Sequence, residues 1–172
     1  MAFQTFDLSR GVRRPGWTSY PFFHRSGPMP WSAASVIDFA NIDKLVYLSG
    51  QTGRNPETDR EPMSWQEMRD RVGHCVEGGI KAQTLACWTR IKETLDGLGG
   101  DMADIVVVNY YLVKPDDHWD MFEVTYDFFR KHSPDLYNNM RAGVLLKGIQ
   151  LDLPDMLIEI QCTALIPKKD AR

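Results

Sequence analysis

The chain has 172 residues, of which 43% are hydrophobic and 25% are charged, and its formal net charge is −3. This length is typical of one domain, and the hydrophobic fraction is sufficient for a core. The slightly acidic balance provides no basic field for nucleic acid and no polybasic patch for a membrane surface. No apolar run approaches the roughly 18 residues of a membrane span, and the N-terminus lacks the apolar segment of a signal peptide. We therefore expect a cytoplasmic protein.

The sequence contains none of the common metal or nucleophile signatures. Its three cysteines, Cys75, Cys87 and Cys162, form no CxxC pair. Their odd number and spacing predict reduced thiols rather than a disulfide framework or a zinc site. None of the four histidines has metal-ligand spacing to another histidine or to a cysteine, so we interpret each as a surface or capping residue. GxGxxG, Walker, GxSxG and HExxH motifs are also missing.

Proline is concentrated in the first 30 residues, at Pro15, Pro21, Pro28 and Pro30. Proline at this density disfavours regular helices and central strands. We therefore predict an irregular N-terminal arm over residues 1–30, which packs through its aromatic side chains against its own body or a neighbouring subunit.

A single domain over residues 31–172 is predicted to follow, with an insertion at about 59–78. Within this polar insertion, Ser64 and Glu67 have the spacing of a capping box, which predicts a short helix over 65–72.

The domain alternates strand and helix patterns. Ala33–Ala40 and Lys44–Ser49 predict a hairpin. Apolar residues at steps of three and four predict a helix over Ile80–Leu98. A run of branched and aromatic residues over Asp104–Val113 predicts a central strand buried on both faces.

The C-terminal half of the domain continues the alternation. A second helix is predicted after Pro115, and its aromatic residues recur at steps of three, four and three, as on one helix face. Arg141–Lys147 and Met156–Ile166 predict two further strands. A mixed sheet with helices on one face is the architecture that this order favours. The aromatic residues of the second helix are Trp119, Phe122, Tyr126 and Phe129.

Two charged residues are candidates for function. Arg141 begins a predicted strand, where a guanidinium can hold a carboxylate through two parallel hydrogen bonds. Glu159 lies in the middle of a strand among apolar neighbours, and a carboxylate there must be paired, hydrated or functional. An ordinary salt bridge between Arg141 and Glu159, or pairing of each with other charges, is the structural alternative.

Several segments resemble the RidA/YjgF family and occur in that family's order. The likeness covers roughly residues 30–167. The segments are Leu45–Gln51 (the family strand ending in Ser-Gly-Gln), Asn55–Thr58 (its Asp-Pro-Glu-Thr turn), Ile80–Thr84 with Asp96–Gly100 (the long helix), Phe122–Phe129 (the aromatic helix), and Met140–Val144 with Ile158–Ile160 (the closing strands).

This resemblance implies a fold, an assembly and a chemistry. The fold would be a chorismate-mutase-like α+β sandwich with a mixed six-stranded sheet and two helices on one face. Members of this family usually form homotrimers, with sites in the clefts between subunits. The implied reaction is hydrolysis of a carboxylate-bearing enamine or imine, releasing ammonia without a metal or organic cofactor. Arg141 would anchor the substrate carboxylate, and Glu159 would hold and activate the attacking water. Ser49, Trp31 and Gly143 would line the pocket.

The chain departs from the family pattern at several of these positions. Trp31 stands where the family has tyrosine, so the phenolic hydroxyl is lost. Gly143 stands where several relatives carry cysteine, which predicts a roomier pocket. With the longer N-terminal and 59–78 segments, these changes favour a larger 2-aminomuconate-like substrate over a small 2-aminoacrylate-like one.

Two other functions stay open at this stage. A non-catalytic regulatory trimer could bind a small carboxylate in the same clefts, although the presence of Arg141 together with Glu159 favours an enzyme. A ribonuclease is a label that some relatives carry. The acidic net charge and the lack of an aromatic and basic strip argue against it.

Overall fold

The computed structural model describes residues 12–14, 17–24, 27–37, 39–57, 64, 66 and 74–171. In chain order, the strands and helices are β1 (Val12–Arg14), β2 (Trp17–His24), β3 (Gly27–Ile37), β4 (Ile42–Tyr47), β5 (Gln51–Thr52), α1 (Gly79–Gly97), β6 (Ile105–Leu112), α2 (His118–His132), α3 (Pro134–Asn138), β7 (Ala142–Lys147) and β8 (Ile158–Pro167).

The main sheet has the strand order β4-β8-β6-β7, with β5 also paired to β8. The pair β6–β7 is parallel, and the other pairs are antiparallel. A parallel pair needs a long crossover connection, and α2 and α3 provide it. The prediction of a mixed sheet with helices on one face is confirmed. The described part of this sheet has five strands rather than the expected six, because β3 belongs to another sheet.

The prediction of an irregular N-terminal arm is wrong for the described residues. Strands β1, β2 and β3 form an antiparallel three-stranded sheet. Among the described strands, β1 pairs with Trp17–Ser19 and none pairs with that side of the rest of β2, which is an edge of the described sheet. An edge tolerates proline, and Pro21 lies between two register shifts of the β2–β3 ladder. The predicted arm boundary at residues 30 and 31 falls inside β3.

The hairpin between Ala33–Ala40 and Lys44–Ser49 is also wrong. Strand β3 ends at Ile37, a 3-10 turn follows over Phe39–Asn41, and β4 pairs with β8. Pairing with β8 brings Val46 against the main core, which a local hairpin would not do. The short helix predicted over residues 65–72 and most of the 59–78 insertion lie outside the described residues.

The start and end of helix α1 coincide with glycines in the left-handed region. Gly78 precedes the helix with φ 107°, and Gly99 follows it with φ 80°. Glycine adopts these angles without the strain that a Cβ imposes. The amide of Gly100 then donates to the carbonyl of Leu95 at 2.8 Å, which closes the helix end.

Trp88 is the centre of the core between the helices and the sheet. Its side chain is fully buried, and its ring packs edge-on against Phe129 with centroids 4.6 Å apart. Its indole Nε1 donates a hydrogen bond to Thr125 Oγ1 at 3.0 Å. This bond joins α1 to α2 through the only polar atom of the indole ring.

Strand β6 is buried on one face rather than both. Val108, Tyr110 and Leu112 face the helices, while Val107, Asn109 and Tyr111 are half-buried on the opposite face. Alternation of side chains along a strand produces this division. We call the side of the main sheet away from α1 and α2 the open face.

The aromatic stripe of helix α2 is only partly in the core: Phe129 is buried there, and Phe122 packs against its edge. Met121, Thr125 and Phe128 are the buried residues of its inner face, together with Phe129. By contrast, the side chain of Trp119 is 73% exposed.

The three cysteines are buried and unpaired. Burial raises the pKa of Cys75 to about 11 and that of Cys87 to about 12. These thiols are therefore protonated at neutral pH and are poor nucleophiles. No helix of the described residues is long and apolar enough to cross a membrane.

Replacing Thr125 with valine tests the link between α1 and α2. Thr125→Val preserves the shape of the side chain but leaves the indole N–H of Trp88 without an acceptor. We expect the free energy of unfolding to fall by about 1–3 kcal/mol, measured by urea denaturation. Thr89→Val is the matched control, because Thr89 is exposed and should shift stability by only about 0.5 kcal/mol. Equal effects of the two changes would contradict this account.

Candidate active site

Glu159 lies on the open face near the start of β8. It is paired in register with Thr52 of β5 and Tyr111 of β6. Its side chain is half-buried, and no described residue forms an ion pair or hydrogen bond with its carboxylate. A partly desolvated carboxylate without a partner is costly, so its position favours a functional role over a structural one.

The loop Ser49–Gln51 wraps around this carboxylate. A Cβ placed on Gly50 would lie only 1.6 Å from Glu159 Oε1, so glycine is required for the close approach. Just before the loop, the Leu48 amide donates to the Cys162 carbonyl at 3.0 Å, and within it Gln51 Nε2 donates to the Ser49 carbonyl at 3.0 Å. Ser49 is exposed and precedes Gly50, the residue that lies against Glu159.

A polar strip continues from Glu159 across the open face. Gln161 Oε1 accepts hydrogen bonds from Asn109 Nδ2 at 3.4 Å and from the Tyr111 hydroxyl at 3.5 Å. We define the polar strip as the side chains of Asn109, Tyr111, Glu159 and Gln161. Apolar side chains border it on both outer strands, and four of them are largely exposed: Leu45 (42%), Tyr47 (77%), Val144 (50%) and Leu146 (48%).

Arg141 immediately precedes β7 and lies beside the start of β6, and its side chain is fully buried. Its Nε donates to the carbonyl of Ile105 at 2.7 Å, and one terminal nitrogen donates to the carboxylate of Asp135 at 2.6 Å. Further bonds go to backbone carbonyls of Ala103 and Asn139. Arg141 thus pairs with another charge, as the structural alternative proposed.

The Arg141 guanidinium also stacks on Trp17, with 4.5 Å between its central carbon and the ring centroid. Trp17 is itself buried against Val106 and Leu165. Trp17 was expected to be a packing residue of the N-terminal arm, but its contact with Arg141 was not predicted. No sequence pattern singled out Asp135, which lies in a short helix.

Arg141 and Glu159 are far apart within one chain. Arg141 binds the carbonyl of Ile105 at the start of β6, whereas Glu159 pairs with Tyr111 near its end. Six residues of strand separate these positions, which corresponds to about 20 Å. A single chain therefore does not present both groups to one small substrate.

The remaining predicted pocket residues are dispersed. Gly143 pairs with Val108, and a Cβ there would lie 1.7 Å from the Val108 carbonyl oxygen. Close packing of β7 on β6 therefore accounts for this glycine, and it does not argue for a larger substrate. Trp31 lies in β3, and its side chain is outside the described part of the structure. Among the described residues, no three histidine, cysteine or acidic side chains cluster to hold a metal ion.

The fold defines an α+β domain with a mixed sheet, helices on one face and a partly buried carboxylate on the other. The sequence profile of the family named endoribonuclease L-PSP matches residues 28–166. The chain therefore belongs to the endoribonuclease L-PSP family, also called the RidA/YjgF family, which confirms the resemblance noted from its motifs.

Two curated relatives show how distant the similarity is. A protein of Dermatophagoides farinae named 2-iminobutanoate/2-iminopropanoate deaminase is 25% identical over 117 residues, which cover 68% of this chain and 80% of that protein. The protein mmf1, mitochondrial, of Schizosaccharomyces pombe is 30% identical over 93 residues. That match spans 54% of this chain and only 54% of the yeast protein.

Solved structures share the fold at low identity. The YjgF gene product of E. coli aligns with a TM-score of 0.54 and 22% identity over 75% of this chain and 84% of its own. YyfB of the Rid family from Yersinia pestis has a TM-score of 0.56 and 23% identity, covering 80% of this chain and 87% of its own. At these identities the likeness supports the fold alone.

A lysine substitution distinguishes a structural role of Arg141 from substrate anchoring. Arg141→Lys removes the planar set of N–H donors that binds the backbone carbonyls and Asp135. We expect a loss of about 2 kcal/mol or more in the free energy of unfolding, measured by urea denaturation. Arg130→Lys is the control, since its pairing with Asp127 is on the surface and is worth under about 1 kcal/mol. Unchanged stability with a raised KM would instead identify Arg141 as a carboxylate anchor.

Proposed function

We propose that the chain hydrolyses a carboxylate-bearing imine, or the enamine from which that imine forms, and releases ammonia. The single observation that carries this proposal is the carboxylate of Glu159, which lies against Gly50 on the open face and is bound by no described residue. Membership of a family with a relative named as an imine deaminase supports the same reaction class.

A single carboxylate is sufficient for this chemistry. The imine carbon is electrophilic, so water can add to it while Glu159 accepts a proton from that water. With the imine nitrogen protonated, a C–O bond forms and the product is a neutral carbinolamine. Glu159 then returns the proton to the nitrogen, the C–N bond breaks as Glu159 takes up the hydroxyl proton, and ammonia and a carbonyl product leave. The proton on Glu159 finally passes to the released ammonia or to solvent. An enamine substrate first takes up a proton on carbon to become the imine.

Holding the substrate carboxylate is the second requirement. In one chain, the guanidinium of Arg141 lies at the other end of β6 and already binds Asp135. We therefore propose that the complete site is a cleft between copies of this chain, in which the Glu159 end of one open face meets the Arg141 end of another. The substrate carboxylate would there replace that of Asp135, whose side chain is 21% exposed.

The open face supports assembly through this surface. Its exposed apolar residues flank the polar strip on both sides, so a second and third copy would bury them while enclosing Glu159. A homotrimer is the assembly that we propose. Exclusion of bulk water from the enclosed strip would strengthen the electrostatic interactions on which proton transfer depends.

Ammonia release provides the test of the reaction. A panel of imines and enamines, generated in situ and ranging from 2-aminoacrylate to 2-aminomuconate, is offered to the wild type and to Glu159→Gln. We expect the wild type to accelerate release and Glu159→Gln to lose at least about 100-fold of that acceleration. Glu93→Gln is the matched control, because Glu93 is exposed on α1 and should retain full activity.

A second pair of variants probes the geometry around the carboxylate. Gly50→Ala should displace Glu159 and lower the rate, whereas Gly97→Ala should not, because a Cβ at Gly97 meets nothing within 4 Å. Wild-type rates equal to buffer across the panel would contradict deaminase activity. A non-catalytic carboxylate-binding trimer would then become the better hypothesis.

The proposed assembly predicts a variant that separates the subunits. Leu146→Asp places a charge on the open face, and Leu85→Asp places the same charge on the exposed surface of α1. The two leucines are similarly exposed, at 48% and 50%. Sedimentation velocity should show a trimer for the wild type and for Leu85→Asp, and a monomer for Leu146→Asp. A monomeric wild type would contradict the model of a site between subunits.

A further inference from the structure

The neutral groups of the polar strip lie beside Glu159 on the open face of the main sheet. Tyr111 is the cross-strand partner of Glu159, and Gln161 follows Glu159 by two residues along β8. Directly paired side chains share a face with Cβ atoms about 5 Å apart, and residues two apart on one strand share a face at about 7 Å. A substrate with its imine carbon at Glu159 could therefore extend its side chain to Tyr111 and Gln161.

Hydrogen bonds within the strip fix the orientation of the Gln161 amide. The amide of Val144 donates to Asn109 Oδ1 at 3.3 Å, so Asn109 presents its Nδ2 donor to Gln161. The atom of Gln161 that meets this donor must be an acceptor, and it is Oε1, which also accepts from the Tyr111 hydroxyl. Nε2 of Gln161, with two N–H donors, then lies on the other side of the amide group, where no described residue binds it.

Tyr111 contributes the complementary acceptor. Its single hydroxyl proton is donated to Gln161, so its oxygen retains lone pairs that can accept a hydrogen bond. The hydrogen bonds that Gln161 accepts are 3.4 and 3.5 Å long, which is longer than well-formed hydrogen bonds. Because Gln161 is also exposed, a polar group of a substrate can compete for these atoms.

Lysine and arginine are absent from the described open-face positions of β4, β6, β7 and β8. Alternation along the strands directs the two lysines of β4 and β7 to the helix side. Lys44 shares its side with Val46, which packs against the core. Lys147 pairs with Leu112, which is fully buried. Glu159 meanwhile supplies negative charge to the open face, so a second carboxylate placed on the strip would be repelled rather than paired.

A carboxamide matches the strip more fully than a carboxylate does. Its carbonyl oxygen can accept from Nε2 of Gln161 while its NH₂ group donates to the oxygen of Tyr111. A carboxylate has acceptors only, so it would satisfy Gln161 and leave the Tyr111 oxygen without a donor. Sites built from hydrogen-bonding groups discriminate strongly against a substrate that leaves those groups unpaired.

We propose that the polar strip selects imines whose side chain ends in a neutral carboxamide, such as the 2-imino acid formed from glutamine. This inference rests on the proposed deaminase reaction at Glu159 and names the substrate class of that site. Gln161 and Tyr111 are its specificity-determining residues, and the proposed contact between the substrate's first carboxylate and Arg141 is unchanged. The selection disfavours a dicarboxylate such as 2-aminomuconate.

Three 2-imino acids test this selection in the wild type. Amino acid oxidases generate them in situ from alanine, glutamine and glutamate, and ammonia release above the uncatalysed rate gives kcat/KM. The glutamine and glutamate imines differ only in the amide or carboxylate that ends the same side chain. We expect kcat/KM for the glutamine imine to exceed that for the glutamate imine at least about tenfold. Equal values, or a preference for the glutamate imine, would overturn the proposal.

A pair of tyrosine variants locates the selection. Tyr111→Phe removes only the hydroxyl and keeps the ring, so the fold is retained. We expect the ratio of kcat/KM for the glutamine imine to that for the alanine imine to fall about three- to tenfold. Tyr47→Phe makes the same change on β4, outside the strip, and should leave this ratio unaltered. Equal falls in the two variants would overturn the proposal.

A charge introduced into the strip should reverse the preference. Gln161→Lys supplies a cation, so the ratio of kcat/KM for the glutamate imine to that for the glutamine imine should rise at least about tenfold. Gln150→Lys adds the same charge to an exposed position after β7 and should change this ratio little. Sedimentation velocity confirms that both variants retain the wild-type assembly. An unchanged ratio in a correctly assembled Gln161→Lys protein would overturn the proposal.

The alanine imine separates failure of this inference from failure of the proposed function. Turnover of the alanine imine without a preference for the glutamine imine would overturn the carboxamide selection and leave the deaminase reaction intact. No acceleration with any of the three imines would overturn both.

Discussion

The buried guanidinium of Arg141 connects more parts of this molecule than any other described side chain. Charged groups removed from water must be satisfied by hydrogen bonds. Arg141 donates to the carboxylate of Asp135 in α3 and to three backbone carbonyls, which belong to Ala103 before β6, Ile105 at the start of β6 and Asn139 before β7. These bonds fix the start of β7 beside the start of β6. They thereby set the only parallel pair of strands described and the path of the α2–α3 crossover.

Stacking on Trp17 extends this connection to the N-terminal sheet. Trp17 covers the ends of β6 and β8 through Val106 and Leu165, so the three-stranded sheet is attached where Arg141 is buried. The arginine that family resemblance implies for substrate binding is thus also a structural centre. For Arg141 to bind a substrate, the substrate carboxylate must displace that of Asp135, because the guanidinium is already paired.

The alternation of side chains along β6 and β8 divides the molecule into two chemically different sides. Residues facing the helices form an apolar core around Trp88. Residues on the open face include Glu159 and the amide and hydroxyl groups of the polar strip, with apolar borders.

The distance between Glu159 and Arg141 constrains how function arises. Because they lie at opposite ends of β6, one chain does not bring the two groups together. Symmetric assembly can bring opposite ends of identical subunits together at one interface. In the proposed assembly, the exposed apolar borders of the open face and the Glu159 carboxylate, which no described residue binds, would lie in one subunit contact.

The sequence by itself determined the elements whose signals are local. The three- and four-residue spacing and flanking glycines located α1, the alternation of apolar residues located β8, and Glu159 was identified as a carboxylate in need of an explanation. The motifs in their order also identified the family. Each of these features depends on residues close in the chain, so no partner segment is needed to recognise it.

The tertiary structure decided the features that depend on distant partners. Strand β4 pairs with β8 instead of with the preceding segment, and Val46 then packs against the core. The described part of the proline-rich N-terminal segment forms strands, and Pro21 lies between two register shifts of the β2–β3 ladder. Thr125 and Met121 share the buried face of α2 with Phe128 and Phe129, and Thr125 accepts the hydrogen bond of Trp88. Arg141 is bound to Asp135, and the distance to Glu159 follows from strand order. Burial and strand pairing between remote segments set all of these outcomes, and residue spacing along one chain does not encode them.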